Sequence, residues 1–198
     1  MSFRIGALVA MIAVVDFGTV GRQSGIGSPK SPTKNDDGAA QFNSKNELLR
    51  PKKYREWVFV GSSLGLGYNA IKKPEKGKSV PLGKFKHIYI NRLGYNAYRD
   101  TGKFPVGTVL ILEGVSRGEK TNPQLRGYFS NRFGGMEAAV KTGKRFDDPW
   151  TYYSFSQKQA KAKRITKKSC IRCHRKHAKT DHVFTQFYPV LRDLRRRK

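Results

Sequence analysis

The sequence predicts an α+β fold that is mainly β, an antiparallel sheet with a few helices. Five short runs rich in β-branched and aromatic residues recur along the chain, each bounded by turn chemistry, which favours antiparallel pairing. Helical patterns between them are short. The 198 residues are 37% hydrophobic and 12% aromatic, enough for one aromatic-rich core with tails and too few for two ordinary domains.

At the N-terminus, Arg4 precedes an apolar run from Ile5 to Val15 that Asp16 ends. A bilayer core of about 30 Å needs roughly 20 residues of helix, so this run is too short to span. Residues 1–20 read as a secretory signal peptide, or as an N-terminal anchor because no A-x-A cleavage site follows. Residues 21–45 are rich in Gly, Ser, Pro, Asn and Asp and read as a flexible linker. The domain then occupies residues 46–194, and 195–198 form a basic tail.

Within the domain, Trp57-Val58-Phe59-Val60 ends at Gly61, and His87-Ile88-Tyr89-Ile90 ends at Asn91. Thr108 to Leu112 follows Pro105 and Gly107, Gly127 to Ser130 follows a polar turn, and Trp150 to Phe155 follows Asp147-Asp148-Pro149. These are the predicted strands. Tyr54 to Trp57, Leu93 to Thr101 and Gly135 to Thr142 carry short helical patterns, and Phe184 to Leu194 is kinked or divided at Pro189. Gly61 to Phe85 is a Gly- and Lys-rich connection. Its Leu64-Gly65-Leu66-Gly67 lacks a following Gly-Lys-Ser/Thr, which argues against a nucleotide site.

The two cysteines fall together, in Cys170-Ile171-Arg172-Cys173-His174. C-x-x-C-H is the attachment pattern of a c-type haem: each thiol adds across a vinyl group and the histidine ligates the iron. On a helical turn, cysteines three apart point the same way, and the next residue turns toward the ring centre. This makes Cys170 and Cys173 the cofactor-binding residues, His174 the iron ligand, and the C-terminal stretch a haem-attachment segment. Two other readings stand beside it. A redox C-x-x-C pair wants a βαβ context and gives the histidine no role. A zinc site would draw on His177 and His182, although the gap from Cys173 to His177 is short for a finger and no second cysteine pair exists.

Net charge is +26, from 40 basic and 14 acidic residues, and so favours an anionic partner: an acidic redox protein, an anionic lipid surface or nucleic acid. The Arg195-Arg196-Arg197-Lys198 tail motivates a remote reading as a basic, zinc-containing nucleic-acid binder.

Several motifs together resemble the cytochrome P-460 family in order and spacing. They are Tyr54-Arg55-Glu56-Trp57-Val58 with Gly61, His87 to Ile90, Thr101-Gly102-Lys103-Phe104-Pro105 with Gly107-Thr108-Val109, Gly127-Tyr128-Phe129, Met136-Glu137-Ala138 and Lys144-Arg145-Phe146. Cys170 to His174 follows, then Ala178-Lys179-Thr180-Asp181 and Val183 to Leu191. The likeness runs from about Asn46 to Arg192. It implies a mainly antiparallel β domain, one haem c, a periplasmic setting and a homodimer, and it displaces nucleic acid as a partner.

Members that oxidise hydroxylamine resemble each other in a lysine bonded to the porphyrin edge, on the strand after the Phe-Pro-x-Gly-Thr-Val element. The matching position here is Leu112, which has no amine, while Lys103 precedes the strand and Lys120 lies beyond its end. Members without the link, the cytochromes c′-β, resemble binders of nitric oxide and carbon monoxide. The segment Lys161 to Thr166, where some active relatives carry an acid, has none. Glu137 and Lys86 match positions that are polar in the family and are the distal-pocket candidates; the alternative makes them a helix-surface acid and a strand-surface base.

Of the other histidines, His87 reads as an ordinary strand residue rather than a sixth iron ligand, and His177 and His182 as outer-surface residues. The expectation is a monohaem cytochrome with a five-coordinate iron that binds a diatomic gas or exchanges electrons with an acidic redox partner. An oxidoreductase acting on hydroxylamine or nitric oxide is the alternative.

Overall fold

In the computed structural model, residues 38–67, 82–122, 125–166 and 168–194 are described. The signal or anchor expected over 1–20, most of the linker and the basic tail lie outside them. Side-chain alternation organises what is described. Strands β1 (Leu48–Leu49), β2 (Val58–Leu64), β3 (Phe85–Ile90), β4 (Val109–Asn122), β5 (Leu125–Lys141), β6 (Trp150–Phe155) and β7 (Lys161–Ala162) form two antiparallel sheets. The larger is a meander in the order β2-β3-β4-β5-β6, and the smaller pairs β1 with β7. The fold class is therefore the expected one.

The helices are α1 (Arg92–Thr101), α2 (Lys168–His177) and α3 (Pro189–Leu194), with short 3-10 turns at Tyr54–Glu56, Gly143–Arg145 and Thr185–Phe187. As Pro189 suggested, the C-terminal segment is divided: the proline opens α3, where its missing N–H is no loss. No helix among the described residues is long and apolar enough to cross a membrane.

Three expectations are corrected, the first because β2 runs on through Gly61 to Leu64 and shortens the connection expected from Gly61 to Phe85. Gly135 to Thr142 is not helical, because Met136 to Lys141 lies in β5, paired to β4 on one side and to β6 on the other. Met, Glu, Ala and Lys favour helix locally, but ladder bonds on both edges and the burial of Met136, Ala138 and Val140 at alternate positions override that preference. The linker also ends earlier than residue 45. Phe42 bridges to Leu48 and packs near the rings of Phe146 and Tyr153, at 6.5 and 6.1 Å.

Register separates two cores. On the far face of the main sheet, Val109, Ile111, Met136, Ala138, Tyr153 and Phe155 pack with Leu48, Tyr54 and Ala162. On the near face, Ile88, Ile90, Leu110, Trp150 and Tyr152 pack with Tyr98 of α1, Phe104, Val183 and Leu191 of α3. Each large apolar side chain buried this way contributes about 1.5–3 kcal/mol. Gly61 lets α3 approach β2, since a Cβ there would meet Pro189 Cδ at 3.0 Å.

Asn91 ties α1 to the sheet. Its side-chain oxygen caps the helix by accepting from the Gly94 N–H at 3.2 Å and also accepts from Val109 N–H at 3.0 Å, while its amide donates to Gly107 O at 2.9 Å. Asn91→Ala orphans buried donors as well as the cap, so the unfolding free energy should fall by about 2–4 kcal/mol in denaturant titration.

On the far face, buried Glu113 accepts from Tyr54 Oη at 2.9 Å and from Arg55 Nε at 3.0 Å. Burial, then the hydrogen bond to Glu113, pushes the Tyr54 phenol from 10.0 up to about 12. A raised folded pKa gives stability that is complete below the unfolded value and lost above it. Thermal denaturation should therefore show stability falling between pH 10 and about 12, with Tyr54→Phe removing that component of the slope.

Candidate functional site

Helix α2 lies across the near face, contributing Cys170, Cys173 and His174 from one stripe to a cavity of about 800 Å³. The spacings of three and four residues place these side chains together on the helix. The sheet supplies the floor through Ile88 of β3, Leu110 and Leu112 of β4, Ala139 of β5 and Tyr152 of β6. Val183, Phe184 and Tyr188 close another side, and Arg172, Lys176, His177 and His182 add polar groups.

His174 is held by packing and one hydrogen bond. Its ring lies 4.6 Å from that of Tyr152 and 4.7 Å from that of Phe184. Nδ1 is 2.8 Å from the His182 carbonyl oxygen. A carbonyl only accepts, so Nδ1 carries the proton and Nε2 keeps its lone pair for a metal. Burial pushes the imidazole below the usual histidine pKa, outweighing the upward pull of the carbonyl. The neutral form that a ligand needs is therefore the favoured one.

The carbonyl is presented by a tight turn. Thr180 and Val183 exchange backbone bonds of 3.3 and 2.7 Å around Asp181 (φ 45°) and His182 (φ 61°), two consecutive left-handed residues as in a type I′ hairpin. Gln186 closes the same region by donating to His177 O at 2.8 Å and accepting from the Lys179 N–H at 3.1 Å.

Leu112 stands between Ile88 and Glu137 in one cross-strand row, and all three line the cavity. Glu137 is an exposed strand residue, not a helix-surface acid. Lys86 lines the same cavity and donates to the Leu66 carbonyl. His87 faces away, with Nδ1 2.9 Å from Ser62 Oγ and Nε2 2.8 Å from Ser130 Oγ. His182 is not the surface residue expected, because the turn directs its ring inward: it lines the cavity and its Nδ1 is buried without a hydrogen-bond partner among the described residues. Among those residues no three His, Cys, Asp or Glu side chains are placed to hold a metal ion, so the zinc set considered from the sequence does not assemble. Sequence reasoning missed the roles of Tyr152, Phe184 and the His182 carbonyl, which only the strand register and the turn bring to His174.

A protein-family model described as Cytochrome P-460 matches residues 51–185, well over half of the chain. The chain belongs to the cytochrome P-460 family. No curated protein matches it. Membership makes this a haem cytochrome, and the cavity suits that cofactor. Its volume lies within the range of about 300–1,000 Å³ typical of ligand sites. Its lining joins aromatic and aliphatic walls to two thiols and an imidazole held at Nδ1 by the His182 carbonyl.

Ala139 is the smallest side chain of the floor. In this cytochrome P-460 domain, Ala139→Trp would project an indole into the cofactor space, and the haem-to-protein absorbance ratio of the purified chain should fall several-fold.

Proposed function

We propose that this cytochrome P-460 family member carries one covalent haem c and binds nitric oxide or another neutral diatomic gas. Cys170 and Cys173 form the thioethers, and His174 Nε2 ligates the iron. When bound, the cofactor would supply an iron able to take a small ligand. The chain's residues hold it, fix the orientation of His174 and set the polarity around it.

Leu112 carries this reading. It occupies the floor at the position where hydroxylamine-oxidising relatives are expected to have a cross-linking lysine, and its side chain offers carbon alone. With Ile88 and Leu110 it gives a surface that accepts neutral ligands and penalises charged ones, since an unpaired charge is expensive to desolvate. A second reading, oxidation of hydroxylamine or nitric oxide, draws on Lys86 and Glu137, which stand on the same cavity and offer a donor and a proton acceptor. Export to the periplasm through residues 1–20, a homodimeric state and electron exchange with an acidic protein complete the proposal. The charge of +26 supports the last of these.

The test uses the full chain matured with a c-type attachment system. One haem per chain is expected by pyridine haemochrome, and Cys170→Ala with Cys173→Ala should abolish haem staining on a denaturing gel. The ferrous protein should bind nitric oxide without a far-red-shifted Soret band and should not turn over hydroxylamine with an artificial acceptor. Steady hydroxylamine turnover by the unaltered chain would overturn the gas-binding reading, and free thiols at the apo mass would overturn the haem assignment.

A further inference from the structure

The turn that meets His174 is tied to the sheet by side chains with no place in the haem motif. Lys141 at the end of β5 and Trp150 at the start of β6 are cross-strand partners. Both reach Asp181: Lys141 Nζ donates to Oδ2 at 2.6 Å and Trp150 Nε1 to Oδ1 at 3.2 Å. Lys141 also donates to Phe104 O at 2.6 Å. The ion pair is only partly shielded, with the Lys141 and Asp181 side chains 19% and 30% exposed. The indole of Trp150 is buried, and its N–H needs an acceptor that Asp181 supplies.

The next residue after Asp181 is His182, whose carbonyl accepts from His174 Nδ1 at 2.8 Å. A hydrogen bond of this kind lends the imidazole imidazolate character and strengthens its donation to a metal. Backbone freedom at the turn would weaken it, because both central residues hold left-handed conformations that non-glycine residues adopt reluctantly. Two side-chain anchors on one carboxylate oppose that freedom.

The geometry points to Asp181, with Lys141 and Trp150, as the positioning tether of the iron ligand: the tether holds the His182 carbonyl against His174 Nδ1 and so sets the strength of the iron–histidine bond. This rests on the proposed ligation of iron by His174. Asp181 is not among the residues lining the cavity and acts only through the turn.

The experiment uses the haem-loaded full chain and two variants that cut the tether differently. Asp181→Gly removes the carboxylate yet tolerates the left-handed conformation, and Lys141→Met removes the cation while keeping an extended apolar stem. The iron–histidine stretching band of the ferrous protein, read by resonance Raman, should shift to lower frequency in both, and the midpoint potential should rise in both. The double variant should move no further than the larger single one, as members of one network do. Asp181→Asn, which keeps an oxygen for Trp150, should lie between.

Val60→Ala, a near-face core truncation outside the tether, lowers the melting temperature but should leave the band in place, separating positioning from general loosening. Parent-like band and potential in both tether variants would overturn the proposal. Absence of a haemochrome, or a band that survives His174→Gly, would instead overturn the haem assignment beneath it.

Discussion

Alternation of side chains where β3 to β6 pair regularly, over 88–90, 109–113, 136–141 and 150–155, is the constraint on which the other features depend. Shifting any of these strands by one residue would exchange the faces, turning Ile111, Ala138 and Tyr153 toward α2 and Leu112, Glu137 and Tyr152 away from it. The meander fixes this register with ladders on both edges of β4 and β5, and a buried core on each side makes slippage unfavourable. The cavity is one stretch of the near face left uncovered by α1 and α3 and roofed by α2.

The same division sorts the polar chemistry. Glu113 faces the far core, where Tyr54 and Arg55 satisfy it and it serves stability. Its neighbour Leu112 faces the cavity. Adjacent residues of one strand thus belong to separate problems, so the charge at one has no direct route to the other. On the near face a half-buried imidazole, His174, is favoured in its neutral form and has its proton assigned by a carbonyl. That arrangement avoids placing an unpaired charge beside the apolar floor.

Much of this was legible in the sequence. The strand runs announced themselves through β-branched and aromatic residues, and the cysteine spacing pointed to one helical stripe before any packing was known. Lys86, Leu112 and Glu137, which the family likeness singled out, line the cavity. What escaped was nonlocal. Helix-forming residues from Met136 to Lys141 concealed a strand whose state is decided by two neighbours distant in sequence. Phe42 looked isolated among polar residues because its partners Phe146 and Tyr153 lie far along the chain. The inward turn of His182 rests on consecutive left-handed residues without glycine, and only the aspartate before it hinted at a turn.

The order of elements along the chain has its own consequence. Every strand of the main sheet precedes α2, and α3, whose Leu191 seals the near face, follows it. A ribosome therefore delivers the floor first, the two thiols next and the seal last. Before that last piece docks, the near face lacks its seal, which leaves a side entrance for a large planar cofactor.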